Sequence, residues 1–320
     1  MAELRYDPIS AEWVMVASHR QERPQMPKDW CPFCAGSGKV PDSGYDVFRY
    51  PNDFPALSMA PPAPDSVATD LFRTSPAYGK CEVILYSDDH NATLGDLDDA
   101  HVHKLAELWQ STFAELSEHE KVKYVFMFEN RGEQVGVTMP HPHGQVYAYP
   151  YIPSKIERET QSAREYFAQN KRSLFGDLLN EEKRVKVRII AENEHFTVYV
   201  PFYAKTAYAV HVTANREVAD LSGMTVDEIK SLGVTLRDCA RMYDSLYGFA
   251  FPYMMCMHNA PVDGGDYSGI FRFHVEFISL LRSRDKQQFF ASSESGAGAF
   301  CNPTCPEEKA EELRKAWKSV

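Results

Sequence analysis

The 320-residue sequence contains no apolar run approaching the roughly 20 residues that a membrane-crossing helix needs, which excludes that kind of integral membrane protein. Basic charge is also short: 34 Lys and Arg stand against 45 Asp and Glu, a net charge of −11. Such a chain is not built to grip a nucleic-acid backbone by counterion release, although a few local donors suffice for a small anion. Cysteine is scarce and odd in number at seven, which argues against a disulfide framework and for a reducing compartment. The opening stretch from Met1 to Asp7 is too polar for a secretory signal, so a soluble, cytoplasmic protein is expected. What the sequence does have is 44% hydrophobic residues, enough for a sizeable core in one large or two ordinary domains.

Residues 1–80 are turn-rich, with Pro8, Pro24, Pro27, Pro32, Pro41, Pro51, Pro55 and the run Pro61-Pro62-Ala63-Pro64. Proline blocks long helices and central strands, so this arm is expected to wrap over a core built later in the chain. Beyond it, residues 82–86 predict a buried strand. Residues 97–117 predict an amphipathic helix with Val102, Leu105, Trp109, Phe113 and Leu116 on one face. Strands follow at 124–128 and 141–149, and Ser154 with Glu157 predicts a capping box that opens a helix. The second half repeats the order. A strand at 207–212 precedes a helix capped by Thr225 and Glu228, then strands at 251–257 and 271–280. Corresponding elements are offset by 128, 127 and 130 residues (97 to 225, 124 to 251, 141 to 271). The expected fold is α+β: two tandem strand–helix–strand–strand units with an antiparallel sheet, divided into 1–170 and 171–320.

Chemistry concentrates in Pro140-His141-Pro142-His143-Gly144-Gln145. In an extended chain His141, His143 and Gln145 point to one face, and each proline pushes the residue before it out of the helical region. A neutral imidazole whose other nitrogen is held by a hydrogen bond can attack phosphorus directly, and the Gln145 amide can donate to a phosphoryl oxygen. On the residues alone, two buried histidines or two metal ligands fit the pattern as well. Cys31-x-x-Cys34 is similarly open between a redox pair and a zinc pair, although no strand signal precedes it.

The run Thr138 to Gln145, preceded by Phe128-Glu129-Asn130-Arg131-Gly132, closely resembles the active-site signature of class I galactose-1-phosphate uridylyltransferases, a branch of the histidine-triad superfamily. Arg5-Tyr6-Asp7-Pro8, Cys31-Pro32-Phe33-Cys34, Asn52-Asp53-Phe54, Asp88-Asp89-His90, His258-Asn259-Ala260-Pro261 and Leu280-Leu281-Arg282-Ser283 extend the resemblance over the whole chain. It implies a histidine-triad-like half-barrel and a ping-pong transfer of UMP from UDP-glucose to galactose 1-phosphate, with His143 as nucleophile. In hydrolytic relatives a third histidine stands where this chain has Gln145, which favours transfer over hydrolysis. The same resemblance implies a zinc site of Cys31, Cys34, His90 and His141, and a second metal, iron or zinc, on Glu159, His258, His274 and Glu276. The family commonly ends that second set in His-x-His, so Glu276 is a departure. For substrate it implies Asn52, Asp53 and Phe54 at uracil and ribose, and Asn130, Thr138 and Gln145 at the phosphates. Arg20 and Arg23 would reach a partner subunit's nucleotide, hence a homodimer. Gln288 and Glu294 stand at the sugar end, where Gln288 and Ser293 replace the family's Lys and Tyr. A nucleotide-sugar or dinucleotide phosphorylase or adenylyltransferase, and a non-catalytic nucleotide-binding zinc protein, are the competing readings. No role follows for Cys301 and Cys305.

Overall fold

The computed structural model describes residues 2–22 and 30–320; Arg23 lies outside the described residues. The elements in chain order are β1 (Ala2–Asp7), β2 (Glu12–Ala17), β3 (Phe48–Pro51), β4 (Thr74–Pro76), β5 (Lys80–Leu85), α1 (Asp99–Ser117), β6 (Tyr124–Arg131) and β7 (His143–Tyr149). Then come α2 (Ser154–Asn170), α3 (Leu174–Val185), β8 (Ile189–Glu192), β9 (Phe196–Tyr199), β10 (Val210–Ala214), α4 (Val226–Tyr247), β11 (Tyr253–His258), β12 (His274–Ser279) and α5 (Pro306–Trp317).

A nine-stranded antiparallel sheet in the order β3-β5-β7-β6-β11-β12-β10-β9-β8 forms the frame. Its two halves meet where β6 pairs with β11, Met127 opposite Met257. On either side of that pair the register matches. His143 faces Leu85 as His274 faces Thr213, and Gln145 faces Phe128 as Glu276 faces Cys256. The mixed α+β class with an antiparallel sheet is as expected.

One face of the sheet carries the core. Val125 and Met127 of β6, Val146 and Ala148 of β7, and Val275 and Phe277 of β12 pack against α1, α4 and α5. The apolar stripes explain these helices. Val102, Leu105, Trp109, Phe113 and Leu116 recur at helical spacing and are buried, as are Ile229, Leu232, Leu236 and Ala240. Each buried Val, Leu, Ile or Phe among them contributes about 1.5–3 kcal/mol by leaving water. Gly233 lets the helices cross closely, since a Cβ there would lie 2.8 Å from the Val102 carbonyl oxygen.

The capping box at Thr225 and Glu228 forms, with the Thr225 N–H donating to the Glu228 carboxylate at 2.8 Å. The one expected at Ser154 does not. Pro153 takes the cap position and its carbonyl accepts from the Glu157 N–H at 3.0 Å, which leaves Ser154 already inside the helix. The opposite face of the sheet bears the polar residues of β7, β11 and β12. A three-stranded sheet, β2-β1-β4, packs there through Leu4, next to Tyr147. Among the described residues no helix is long and apolar enough to cross a membrane.

Candidate active site and metal centres

His143 opens β7 on that face, half-buried. Its Nδ1 lies 2.7 Å from the His141 carbonyl oxygen, which can only accept. Nδ1 is therefore the protonated nitrogen, and the lone pair of the neutral ring resides on Nε2. The cleft beside it is lined by Phe33, Tyr50, Asn52, Asp53, Phe54, Met139, His143 and Gln145, among others. The structure thus brings the expected nucleotide segment 52–54 to the expected nucleophile. The Asn52 side chain accepts from the Phe54 N–H at 2.9 Å and shapes that turn. Asp53 accepts from Tyr50 and from Lys39, each at 2.7 Å. Asn130 stands on β6 opposite Met254. Two buried side-chain oxygens, Thr138 Oγ1 and Gln145 Oε1, have no partner among the described residues. Buried polar atoms are ordinarily paired, so both oxygens are open to a further partner.

Cys31, Cys34, His90 and His141 place one ligand atom each within 4.8 Å of one another. Cys34 Sγ is 3.4 Å from His90 Nδ1, and both Cys31 Sγ and Cys34 Sγ are 3.7 Å from His141 Nδ1. Zinc bonds of about 2.3 Å to sulfur and 2.05 Å to nitrogen give tetrahedral sulfur–nitrogen edges of about 3.6 Å, so the donor set fits zinc. The other nitrogen of His141 donates to the Ser87 carbonyl at 2.7 Å, the outer contact that orients a ligating imidazole. Burial keeps that imidazole neutral by pushing its pKa down. Burial also pushes the Cys31 thiol up to about 11, so a thiolate there at neutral pH calls for a cation.

Phe33, between the two cysteines, packs its ring at 5.8 Å from His141, 5.7 Å from His143 and 5.4 Å from Tyr50. Sequence reasoning missed Phe33 and Tyr50. The available signal was an aromatic inside the Cys-x-x-Cys loop, which has no reason to be there unless it is buried.

Glu159 of α2, His258, His274 and Glu276 form a second convergent set. His258 Nδ1 lies 3.0 Å from Glu159, and His274 Nδ1 lies 3.0 Å from the Arg272 carbonyl oxygen, leaving its Nε2 as the ligating nitrogen. Two imidazoles and two carboxylates suit zinc or ferrous iron. Burial opposes ionisation of Glu276, yet His258, His211 and Lys155 hold its carboxyl well below the usual range. Lys155 is ion-paired to Glu276, and His211, a cross-strand neighbour unforeseen from the sequence, lies 3.6 Å away. A cavity of about 480 Å³ opens beside this cluster rather than beside His143.

Arg20, Gln288 and Glu294 do not line the His143 cleft of their own chain. Arg20 donates to the Phe54 carbonyl of its own chain at 2.8 Å. Gln288 spends its amide on the Lys205 and Cys301 carbonyls at 3.3 and 3.4 Å, so it is a tie within its loop. Glu294 accepts from the Ala291 N–H at 3.1 Å and does not line the His143 cleft.

Two family models cover the chain: galactose-1-phosphate uridyl transferase, N-terminal domain, over residues 1–153, and its C-terminal domain over 159–315. The galactose-1-phosphate uridylyltransferase of Thermotoga maritima is 40% identical over 316 residues, 98% of each chain. That of Rattus norvegicus is 32% identical over 333 residues, 97% of this chain and 86% of its own. A solved uridylyltransferase superposes with a TM-score of 0.90 at 28% identity over 99% of both chains. An ADP-glucose phosphorylase from Arabidopsis thaliana shares the fold at a TM-score of 0.75 and 22% identity, over 98% of both.

The cleft and these likenesses together define a nucleotidyltransferase. The chain belongs to the galactose-1-phosphate uridylyltransferase family.

Proposed function

We propose that the protein moves a uridylyl group from UDP-glucose to galactose 1-phosphate by a ping-pong reaction through His143. The observation that carries this is a half-buried imidazole with its Nδ1 proton fixed on the His141 carbonyl, in the same cleft as Asn52, Asp53, Phe54 and Gln145. The Nε2 lone pair attacks the α-phosphorus and the bond to the glucose 1-phosphate oxygen breaks. UMP remains on the imidazole as a phosphoramidate. The His141 carbonyl, accepting from Nδ1–H, offsets the positive charge that builds on the ring. In the second half-reaction an oxygen of galactose 1-phosphate attacks the same phosphorus, the P–N bond breaks and UDP-galactose leaves. That acceptor is already an anion and needs no base, so the neutral amide of Gln145 suffices where a hydrolase needs a proton carrier. Thr138 and Gln145 supply polar contacts to the phosphates, and Asn130 lies on the adjoining strand.

Zinc on Cys31, Cys34, His90 and His141, when bound, is structural: it uses four protein ligands and fixes the arm against β7. We assign a second divalent metal to Glu159, His258, His274 and Glu276. Replacing Glu276 with alanine is expected to lower metal content by one equivalent per chain while adduct formation on His143 persists. Elemental analysis beside intact-protein mass reads both.

The histidine-triad-like half-barrel, as two repeated units with 1–170 and 171–320 as its halves, belongs to this reading. Its support is the matching register and the shared carbonyl bond of His143 and His274 to the residue two before each. A homodimer belongs to it too, since Glu294 lies outside its own chain's cleft and Phe289 beside it is 70% exposed.

The test is intact mass after brief exposure to UDP-glucose, followed by galactose 1-phosphate in one tube and inorganic phosphate in another. A UMP adduct discharged as UDP-galactose supports the assignment. Discharge by phosphate alone would make the protein a phosphorylase, and free UMP accumulating as fast as sugar exchange would make it a hydrolase.

A further inference from the structure

Glu129 is buried on the helix-covered face of the sheet, on β6, the strand paired with the one that bears His143, and the uridylyl transfer does not use it. Burial pushes its carboxyl up to about 7 against the pull of Arg131 and the hydroxyls of Tyr253 and Tyr86. The Tyr253 hydroxyl donates to its Oε1 at 3.1 Å. Arg131 is itself committed to Asp244 of α4 by two bonds of 2.9 and 2.8 Å. A carboxyl kept in the core at that cost, with the Tyr253 hydroxyl on Oε1, the Tyr86 hydroxyl also lowering its pKa and Oε2 without a hydrogen-bond partner among the described residues, calls for a reason.

Tyr86 supplies one. Its backbone N–H donates to the Pro142 carbonyl at 3.0 Å, which fixes the residue before His143. Its hydroxyl lies under the residue after His143: a Cβ built on Gly144 would come within 2.4 Å of Tyr86 Oη. One residue therefore holds the chain on both sides of the nucleophile, through its backbone N–H before it and its hydroxyl after it. The ring is further fixed edge-on to Trp109 at 5.9 Å. Gly144 is required here for space, since its own backbone has no left-handed torsion.

We propose that Tyr86 and Glu129 are positioning residues for the nucleophile, Tyr86 clamping residues 142 and 144 and Glu129 fixing the Tyr86 hydroxyl. Neither touches substrate. They act by holding the His143 ring where Nε2 meets the α-phosphorus in line, and small displacements of a reacting group cost rate steeply. The proposal rests on His143 being the nucleophile.

The test is a double-mutant cycle with Tyr86→Phe and Glu129→Leu, plus the conservative Glu129→Gln. Read by single-turnover adduct formation from UDP-glucose, each of the first two is expected to slow uridylylation about tenfold while KM changes less than about twofold. The double variant is expected to be about as slow as either single one, because both break one clamp. Glu129→Gln keeps an acceptor of the same shape and is expected to recover most of the rate. Full-rate uridylylation in Tyr86→Phe, losses that multiply in the double variant, or a change confined to KM would each overturn the proposal. Tyr86→Phe and Glu129→Gln are near-isosteric and guard against a result caused by misfolding. His143→Gly run alongside separates the two claims. If it forms adduct normally, the nucleophile assignment fails; if it is inert while Tyr86→Phe and Glu129→Leu react at full rate, only the clamp fails.

Discussion

Replacing His143 with glycine is expected to abolish the UMP adduct and to slow sugar exchange by a factor on the order of 10⁴ or more, the scale on which nucleophile deletions act. The loss should fall on both half-reactions equally, because one nitrogen forms the bond in the first and releases it in the second. Nucleotide binding should survive, since Asn52, Asp53 and Phe54 approach the cleft from the segment after β3 and do not depend on the imidazole. Isotope exchange between glucose 1-phosphate and UDP-glucose, with no galactose 1-phosphate present, isolates the first half-reaction. Exchange at the normal rate in the glycine variant is incompatible with a histidine-bound intermediate.

Disrupting the zinc site we assign to Cys31, Cys34, His90 and His141 is expected to have the second-largest effect, and to reach catalysis from outside the cleft. Cys34→Ser deletes one of four ligands in a set whose edges are 3.4 and 3.7 Å. Phe33 is fixed by its two cysteine neighbours and packs on the rings of His141 and His143 at once. If zinc holds these four residues, its loss would loosen the arm, release Phe33 from that contact and leave His141 Nδ1 without a metal to bind. Its carbonyl is the acceptor that sets the His143 tautomer. We expect kcat to fall between about ten- and a hundredfold, as for loss of an outer-shell support. Loss of hydrogen-exchange protection should be confined to the arm and the start of β7 and leave α1 and α4 protected. A Cys34→Ser protein with no zinc, unchanged kcat and unchanged protection there would separate the metal from the reaction.

The parts of this architecture that were legible in the sequence share a cause: their signal is local. The apolar stripes of α1 and α4 repeat over about three to four turns, and Thr225 with Glu228 announces a helix start within four residues. His143 and Gln145 are legible because alternation along one strand decides their common face, whereas His141 lies in the bend just before β7. The missing elements lack such signals. β9 is four residues, Phe196–Tyr199, buried throughout, so no alternation exists to be read. α5 buries only Ala310, Leu313 and Ala316 among Glu, Lys and Arg, a pattern that matches a solvated segment. α3 begins at Ser173, whose hydroxyl accepts from the Gly176 N–H at 3.2 Å, but its charge-rich sequence hides the stripe. The site residues that lie outside this chain's His143 cleft were hard to read for a different reason. Whether Gln288 faces a sugar or two carbonyls of its own loop depends on how residues 205 and 301 return to it, which no short window contains.

The pairing of β6 with β11 has a consequence for biosynthesis. Arg131 waits for Tyr253, 122 positions later in the chain (253 − 131), before the middle of the sheet can close. Until then a nascent polypeptide that has left the ribosome as far as residue 170 presents the unpaired hydrogen-bonding groups of Tyr124–Arg131, an invitation to wrong partners. Translation arrest or truncation in this interval should therefore yield inclusion bodies or chaperone-bound fragments rather than a stable half-molecule.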